Sequence, residues 1–224
     1  MGIAEQSELV KKAGTGNSGR RASKEFRREQ LINATIDSLA GRGYAATTLA
    51  DVADGAGLSR GIVNFHFESK EKLLIETLEF LSNEYTESWK NALEAAGDDP
   101  AQRLRAILLA DLDEGVCNPR KVAAWFAFFS EAATKPAYKE LCWARDDDFL
   151  GELLRLCSAL RDSGGYAFEP RKMADTLYAM QEGLWLRLMI DAPSFTRAKA
   201  VEAALAALGV LCPEHFTTDG GLRK

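Results

Sequence analysis

Apolar residues recur at steps of three and four positions along most of this chain of 224 residues, which is the period of an amphipathic α-helix. The first such stripe begins at Phe26, and the Gly-Arg-Gly sequence at 41–43 ends it. Two short helices follow within 47–66, a long one covers 70–96, and five more segments with the same period lie towards the C-terminus. No segment shows the alternation of a half-buried strand. The pattern therefore predicts an all-α fold of nine helices.

Short polar residues and prolines mark the starts of these predicted helices. Thr47 and Ser59 precede the second and third helices, and Ser69 precedes the fourth. They are the predicted N-caps, because a side-chain oxygen there can accept from a backbone N–H group that the helix leaves unpaired. Proline stands at or near the starts of the five later helices, where its missing N–H costs nothing. These prolines are Pro100, Pro119, Pro136, Pro170 and Pro193.

The composition is that of a globular, cytoplasmic protein without a membrane segment. Hydrophobic residues make up 46% of the chain. The opening residues contain no apolar run of signal-peptide length, and no window of eighteen residues is apolar and free of charge. Cys117, Cys142, Cys157 and Cys212 form no Cys-x-x-Cys pair and have no histidine at ligand spacing. We therefore expect reduced, mostly buried thiols, no metal site and no cofactor.

Charge is distributed unevenly along the chain. The net charge is −5, but residues 1–72 carry +2 and the remainder carries −7. The segment RRASKEFRR at 20–28 places five basic residues around a single glutamate. Such a run is either a solvated helix face or a local patch for the phosphates of a nucleic acid. Arg27 and Arg28 are the candidates for phosphate contacts in the second case.

Residues 47–66 have the features of a helix-turn-helix, in which the second helix enters the major groove of DNA. Gly57 lets the backbone turn between the helices, and the small Gly61 lets the second helix approach DNA closely. Arg60 can donate two hydrogen bonds to guanine, and Asn64, one turn further on the same face, can pair with adenine or donate to phosphate. The predicted DNA contacts are Arg27, Arg28, Thr47, Thr48, Ser59, Arg60, Gly61, Asn64, His66 and Lys70.

Aromatic residues cluster on two of the C-terminal helices. Trp125, Phe126 and Phe129 share one face of the sixth helix, and Glu182 and Trp185 lie about one turn apart on the eighth. This spacing is typical of core packing. It also suits a site for a quaternary ammonium, because such a cation binds aromatic faces beside a carboxylate. A neutral hydrophobic ligand would suit the same rings.

Further residues could complete this candidate pocket. Tyr178 is an additional ring, and Asp113 and Glu114 are alternative counter-charges to Glu182. An ion pair between Glu182 and Arg187 is the alternative that would remove the carboxylate from the site. The predicted ligand-site residues are Trp89, Asp113, Glu114, Trp125, Phe129, Tyr138, Trp143, Glu182 and Trp185.

A single helix-turn-helix reads one half-site, so we expect a two-fold homodimer with recognition helices roughly 34–36 Å apart. The last two helices are the predicted interface, because AKAVEAALAALGVL at 198–211 carries alanine and leucine on more than one face. The alternative is burial in the core of the same chain. An enzyme is disfavoured, since the two histidines, His66 and His215, lie in the predicted DNA reader and near the C-terminus. The expected partners are double-stranded operator DNA, a small-molecule inducer and a second copy of the chain.

These features divide the chain into four predicted parts. Residues 1–22 form a flexible basic arm, because the segment VKKAGTGNSG has no hydrophobic period. Residues 23–70 form the helix-turn-helix DNA-binding domain, and residues 71–216 form the ligand-binding and dimerisation domain. Residues 217–224 form a flexible tail.

The segment GYAATTLADVADGAGLSRGIVNFHFESKEKLL, within residues 25–74, resembles the DNA-binding domain of the TetR family of bacterial repressors. The glycine-aromatic pair, the threonine, Ala-Gly-x-Ser-x-Gly, His-Phe and Lys-x-x-Leu all match the family pattern. The resemblance implies a TetR-like architecture, with a three-helix DNA-binding domain followed by a helical ligand-binding and dimerisation domain. The family usually has tyrosine where this chain has Asn64, and we expect His66 to take over the phosphate contact of that ring.

Three C-terminal segments resemble the choline-sensing BetI branch of that family. They are LDEG at 112–115, AAWFAFFSEA at 123–132 and EGLWLRLMI at 182–190. The last motif usually begins with aspartate, so Glu182 keeps the carboxylate with one more methylene. The resemblance implies choline or a related quaternary ammonium as inducer, and control of genes that convert choline to the osmoprotectant glycine betaine. The alternative within this fold is a repressor of an efflux or catabolic operon that senses a neutral hydrophobic ligand.

Overall fold

The computed structural model describes the backbone of residues 3–191 and 193–223, and the side chains of all of these except 3–22 and 144. The described residues form nine α-helices and no strand beyond one isolated antiparallel bridge, between Phe216 and Leu222. The prediction of an all-α, nine-helix fold is confirmed. The helices are α1 (Ile3–Ala46), α2 (Leu49–Gly55), α3 (Arg60–His66), α4 (Lys70–Ala95), α5 (Pro100–Asp111), α6 (Pro119–Ala132), α7 (Pro136–Gly164), α8 (Pro170–Ile190) and α9 (Arg197–Leu211).

The chain divides into two compact units between Thr77 and Leu78, inside α4 and a few residues after the predicted domain boundary. The first unit packs α1, α2 and α3 around buried side chains that include Ile36, Val63 and Phe67. The second unit packs the remainder of α4 with α5 to α9, and α7 and α8 form its most extensive helix pair. Its largest fully buried side chains include Trp125, Phe128, Tyr138 and Phe149.

Helix starts follow the capping rules closely. Proline occupies the first turn of α5, α6, α7 and α8, as predicted. The predicted N-cap of α2 is wrong by one residue: the cap is Thr48, not Thr47. Thr48 accepts from the Asp51 N–H group at 3.2 Å, and the Asp51 carboxylate accepts from the Thr48 N–H group at 3.1 Å. This reciprocal capping box satisfies two N–H groups at once, which explains the choice of threonine. Ser59 is the N-cap of α3 by its backbone, but its hydroxyl makes no capping bond.

Both ends of the chain differ from the predictions. The backbone of 3–22 is helical and continues into the rest of α1, whereas the sequence predicts a flexible arm there. Extending an existing helix costs less than starting one, which is a physical reason for this continuation. The tail prediction is wrong over 217–223, because Thr217 N–H donates to the Gly221 carbonyl at 2.8 Å and Gly220 reverses the chain with φ of 74°. The Asp-Gly-Gly sequence is a turn signal that the prediction of a tail overlooks.

All four cysteines are free and buried, as predicted. Burial raises the pKa of the Cys117 and Cys157 thiols to about 12 and that of the Cys142 and Cys212 thiols to about 11. Among the described residues, no three histidine, cysteine or acidic side chains group as a metal site requires. None of the described helices combines the length and the apolar character of a membrane span.

Candidate functional site

The outward face of α3 is the first candidate site. Its exposed residues are Arg60, Gly61, Asn64 and Phe65. Val63 and Phe67 are 0% and 1% exposed and hold the opposite face of the helix in the core. Phe65 keeps 72% of its surface exposed. No role is predicted for Phe65 from the sequence, although its position four residues after Gly61 is a signal that it shares the outward face.

Two of the basic side chains that are predicted to contact DNA form contacts within the protein. The Arg28 guanidinium lies 2.7 Å from a Glu76 carboxylate oxygen and 3.4 Å from Glu25. The Lys70 ammonium donates to the Tyr44 carbonyl at 3.2 Å and lies 5.3 Å from the centre of the Tyr44 ring. These contacts fix the positions of both cations, Arg28 within α1 and Lys70 at the start of α4. They also mean that neither charge is wholly available to DNA.

Arg27 and Arg60 are exposed and form no ion pair with any other side chain that the structure describes. His66 is half-buried. Burial lowers the pKa of His66 below its usual value, and the positive charges of Lys24, Arg27 and Arg28 lower it further. At neutral pH the imidazole is therefore uncharged, and it can offer a phosphate a ring N–H group but no charge.

The prediction of Thr47 as a DNA contact is wrong. Thr47 is 1% exposed, and its hydroxyl donates to the Gly43 carbonyl at 2.9 Å and accepts from the Ser38 hydroxyl at 3.0 Å. A buried hydroxyl with both bonds made inside the core cannot reach a phosphate. Thr48 and Ser59, by contrast, are exposed.

The second candidate site is a cavity of about 280 Å³ inside the second unit. Residues of α4, α5, α6, α7 and α8 line it, so five helices have to pack correctly to form it. Six of the lining side chains are aromatic, and two are carboxylates. The lining residues are Tyr85, Asp111, Phe126, Phe129, Arg145, Phe149, Tyr178, Gln181, Glu182, Gly183, Trp185 and Leu186.

An arginine of the chain itself occupies the aromatic end of this cavity. The Arg145 guanidinium carbon lies 4.4 Å from the ring centre of Trp125, 5.1 Å from that of Tyr85 and 5.3 Å from that of Phe129. Its Nε atom donates to the Asp146 carboxylate at 2.6 Å. The rings therefore already stabilise one cation, which shows that their faces are arranged for this chemistry.

Asp111 is the centre of the hydrogen-bond network in the cavity wall. Its carboxylate accepts from the Tyr85 hydroxyl at 2.8 Å and from the Gln181 amide at 2.9 Å, and its backbone carbonyl accepts from the Trp185 indole at 3.0 Å. Burial raises the pKa of the Asp111 carboxyl to about 6, although the bond from Tyr85 opposes this rise. Burial also raises the pKa of Glu182, and the nearby Asp146 carboxylate adds to that rise.

Three of the nine predicted ligand-site residues line the cavity: Phe129, Glu182 and Trp185. Trp125 stacks on Phe129 with ring centres 5.7 Å apart and lies behind the Arg145 guanidinium. Arg187 does not pair with Glu182, because its Nε atom bonds Asp191 at 3.0 Å. The Glu182 carboxylate therefore forms no ion pair with Arg187.

The other five predicted ligand-site residues do not line this cavity. Trp89 and Tyr138 are core residues, packed against Phe149 and Phe128 with ring centres 6.0 and 5.6 Å apart. Trp143 is 57% exposed on the outside of α7, beneath Lys139. Asp113 and Glu114 belong to the exposed turn after α5, where Asp113 accepts from the Gly115 N–H group at 2.8 Å and Glu114 lies 3.9 Å from Arg197.

Several cavity residues are absent from the predicted ligand site, above all Asp111, Arg145 and Gln181. Asp111 lies two positions before Asp113, one of the two alternative counter-charges, and Gln181 lies four positions before Trp185 on the same helix face. This helical spacing is the signal that was available for Gln181. Arg145 stands in the charged run ARDDD, which has the composition of a solvated face.

Comparison with known proteins identifies both parts of the chain. Residues 31–77 match the family described as bacterial regulatory proteins of the tetR family, and residues 100–213 match the BetI-type transcriptional repressor C-terminal domain. The HTH-type transcriptional regulator BetI of Serratia proteamaculans is 31% identical, over 79% of this chain and 87% of its own length. The BetI regulator of Burkholderia cenocepacia is 34% identical, over 78% of this chain and 89% of its own length.

Solved structures show the same fold. A protein described as a transcriptional regulator from Pseudomonas aeruginosa PAO1 superposes with a TM-score of 0.72 and 25% identity, covering 84% of this chain and 91% of its own. One from Saccharomonospora viridis, crystallised in complex with choline, superposes with a TM-score of 0.71 and 18% identity, covering 81% and 94% of the two chains. The chain therefore belongs to the TetR family of bacterial regulatory proteins and carries a C-terminal domain of the BetI type.

Proposed function

We propose that α3 reads operator DNA in the major groove, and that the cavity binds choline or a related quaternary ammonium whose binding releases the protein from DNA. The TetR family consists of transcriptional regulators, so we do not propose an enzymatic function. The observation that carries the ligand assignment is a cavity lined by six aromatic rings and two carboxylates in a BetI-type domain. The unit ending at Thr77 is the DNA-binding domain in this proposal, and the unit from Leu78 is the ligand-binding domain.

The exposed face of α3 supports the DNA assignment. Arg60 stands in its first turn, where a guanidinium can bond the two acceptors of guanine, and Asn64 follows on the same face. The exposed ring of Phe65 can contact a thymine methyl group. Basic residues near this face, including Arg27, would supply phosphate contacts.

The charge of the cavity supports a cationic ligand. Asp111, Asp146 and Glu182 bring three carboxylates to the neighbourhood of one guanidinium, that of Arg145. A ligand cation would therefore improve the local charge balance, whereas an anion would worsen it. The curated relatives are BetI regulators, and the Saccharomonospora viridis protein was crystallised with choline. By this likeness the regulated genes would be those that convert choline to glycine betaine.

Exposed apolar residues on α8 and α9 support a homodimer through these two helices. Ile190 is 62% exposed and Leu186 is 40% exposed on α8, and Val210 is 78% exposed on α9. Ala203 and Ala206 lie on the same face of α9 as Val210 and are also exposed. A second copy of the chain would remove this apolar surface from water. It would also supply the second recognition helix that a two-fold operator requires.

The ligand assignment is tested by titrating the protein with choline and with its uncharged isostere 3,3-dimethylbutanol while following tryptophan fluorescence. We expect saturable quenching by choline only, since the isostere has the same shape without the charge. Glu182→Gln should weaken choline binding about tenfold, and Glu140→Gln, at an exposed glutamate of α7, is the matched control. Equal binding of both compounds would indicate a neutral hydrophobic inducer instead.

The DNA assignment is tested with a duplex that the wild-type protein selects from a random-sequence pool. Arg60→Ala should weaken binding by about 1–3 kcal/mol and relax the preference at one base pair. Arg171→Ala, at an exposed arginine of α8, should bind as the wild type does. Unchanged binding of Arg60→Ala would contradict the assignment of α3 as the reading helix.

A further inference from the structure

The side-chain amide of Gln181 is buried in the wall of the cavity, and its orientation is fixed by its neighbours. Gln181 is 3% exposed, and its Nε2 atom donates to the Leu108 carbonyl at 2.8 Å and to the Asp111 carboxylate at 2.9 Å. Both partners are acceptors. Turning the amide over would place its oxygen against two other oxygens, so the donating group has to face Leu108 and Asp111.

This orientation leaves the amide oxygen Oε1 without a partner. Oε1 is buried, and no side chain or backbone group among the described residues donates to it. Most buried polar atoms in proteins have a hydrogen-bond partner, so each exception needs an explanation. Gln181 lines the cavity, so a ligand bound there is the nearest source of a donor, although the side chains that cover Oε1 in this structure would have to move slightly for the donor to reach it.

We propose that the inducer carries an O–H or N–H donor in addition to its positive charge, and that Gln181 Oε1 accepts this hydrogen bond. This inference rests on the proposed binding of a quaternary ammonium and adds the feature that the ligand must have at its other end. Gln181 is then the residue that distinguishes a hydroxylated cation from an alkyl cation of the same size. The aromatic rings alone cannot make that distinction, because they respond to charge and shape.

The inference is tested with a matched pair of ligands, choline and propyltrimethylammonium, in which a methyl group replaces the hydroxyl. The alkyl cation gains more from leaving water, so transfer into an apolar cavity alone would favour it. We expect the wild-type protein to bind choline about three- to tenfold more tightly, which is the effect of one neutral hydrogen bond. The binding constants come from isothermal titration calorimetry of the full-length protein.

Gln181→Met is the matched variant, because methionine has a similar length and no acceptor oxygen. In this variant the ratio of the two dissociation constants should fall to about one or favour the alkyl cation. The comparison of ratios cancels any general loss of affinity that follows from the missing bonds to Leu108 and Asp111. A cooperative melting transition, at a temperature lowered by the two missing hydrogen bonds, and retained operator binding would show that the variant is folded.

Each remaining outcome has a definite meaning. A wild-type ratio near one would overturn the role of Gln181 and leave the quaternary ammonium assignment intact. A preference for choline that persists in Gln181→Met would also overturn it, since the donor would then pair with another group. Binding of neither cation would refute the proposed function, and the inference would fall with it. The wild-type ratio can be measured even if Gln181→Met does not fold.

Discussion

Arg145 places a resident positive charge next to the rings that a cationic ligand would contact, and this leads to a quantitative prediction. Its guanidinium lies 4.4 Å from the ring centre of Trp125 and within 5.3 Å of those of Tyr85 and Phe129. A ligand cation in the cavity would meet the neighbouring rings with this positive charge close by. Replacing Arg145 by glutamine removes this charge and keeps a polar side chain that can still bond Asp146.

The magnitude follows from Coulomb's law. A ligand cation on the neighbouring rings would lie about 8 Å from the guanidinium, and at an effective dielectric constant of about 20 the repulsion is about 2 kcal/mol. Removing it should tighten choline binding by about 30-fold. The Asp146 carboxylate, released from its ion pair with Arg145, acts in the same direction. Arg145→Lys retains the charge, so its affinity should stay near that of the wild type.

Isothermal titration calorimetry on the three proteins checks this prediction. Loss of the guanidinium removes three ring contacts, each worth about 0.5–2 kcal/mol, so a lower melting temperature is expected for Arg145→Gln. Tighter binding despite lower stability would be the signature of a repulsive charge that has been removed. Weaker or unchanged binding by a folded Arg145→Gln variant would refute the reasoning, and weaker binding would mean that the guanidinium contributes to the ligand site.

Three further predictions concern stability, capping and assembly. The pKa of Asp111 is about 6 when folded and 3.8 in the unfolded chain, so the folded state binds more protons between those values. The free energy of unfolding, measured by urea denaturation relative to Asp111→Asn, should therefore fall by about 2 kcal/mol as pH rises from about 4 to about 6; a difference that does not change with pH would contradict this. Thr48→Ala should cost about 1 kcal/mol in the same assay, with Thr48→Ser as control, because the α2 capping box is lost. Val210→Asp should convert a dimer to monomer in sedimentation analysis without lowering helicity, and a retained dimer would exclude α9 from the interface.

Periodicity predicts the helices of this protein because the forces that set them are local. The apolar steps of three and four residues locate the nine helices of the described residues, although α1 begins well before the stripe that starts at Phe26, and the prolines mark four helix starts correctly. The one capping error shows the limit of this reasoning. Thr47 and Thr48 are adjacent and chemically identical, and the choice depends on the Asp51 carboxylate, which reaches back to Thr48 only once α2 has formed.

The ligand cavity is harder to predict, because it depends on how five helices pack. Trp89, Tyr138 and Trp143 have the same side-chain chemistry as rings of the cavity, but their helices turn two of them into the core and one towards solvent. Asp111 and Arg145 are charged residues whose burial no local pattern reveals. Each is accommodated by specific partners from other helices, namely Tyr85 and Gln181 for the acid and three aromatic rings for the base.

The same packing explains how the cavity can be stable and still receptive to a cation. Buried carboxylates without counter-charges would be costly, and here Arg145 supplies a resident positive charge while Tyr85 and Gln181 bond Asp111. A quaternary ammonium would then bind beside a cation that is already present. Its affinity is the attraction of the rings and carboxylates less the repulsion from Arg145, so changes at Arg145 should shift the affinity strongly. Specificity has to come from groups that the resident cation does not use, and Gln181 Oε1 is such a group.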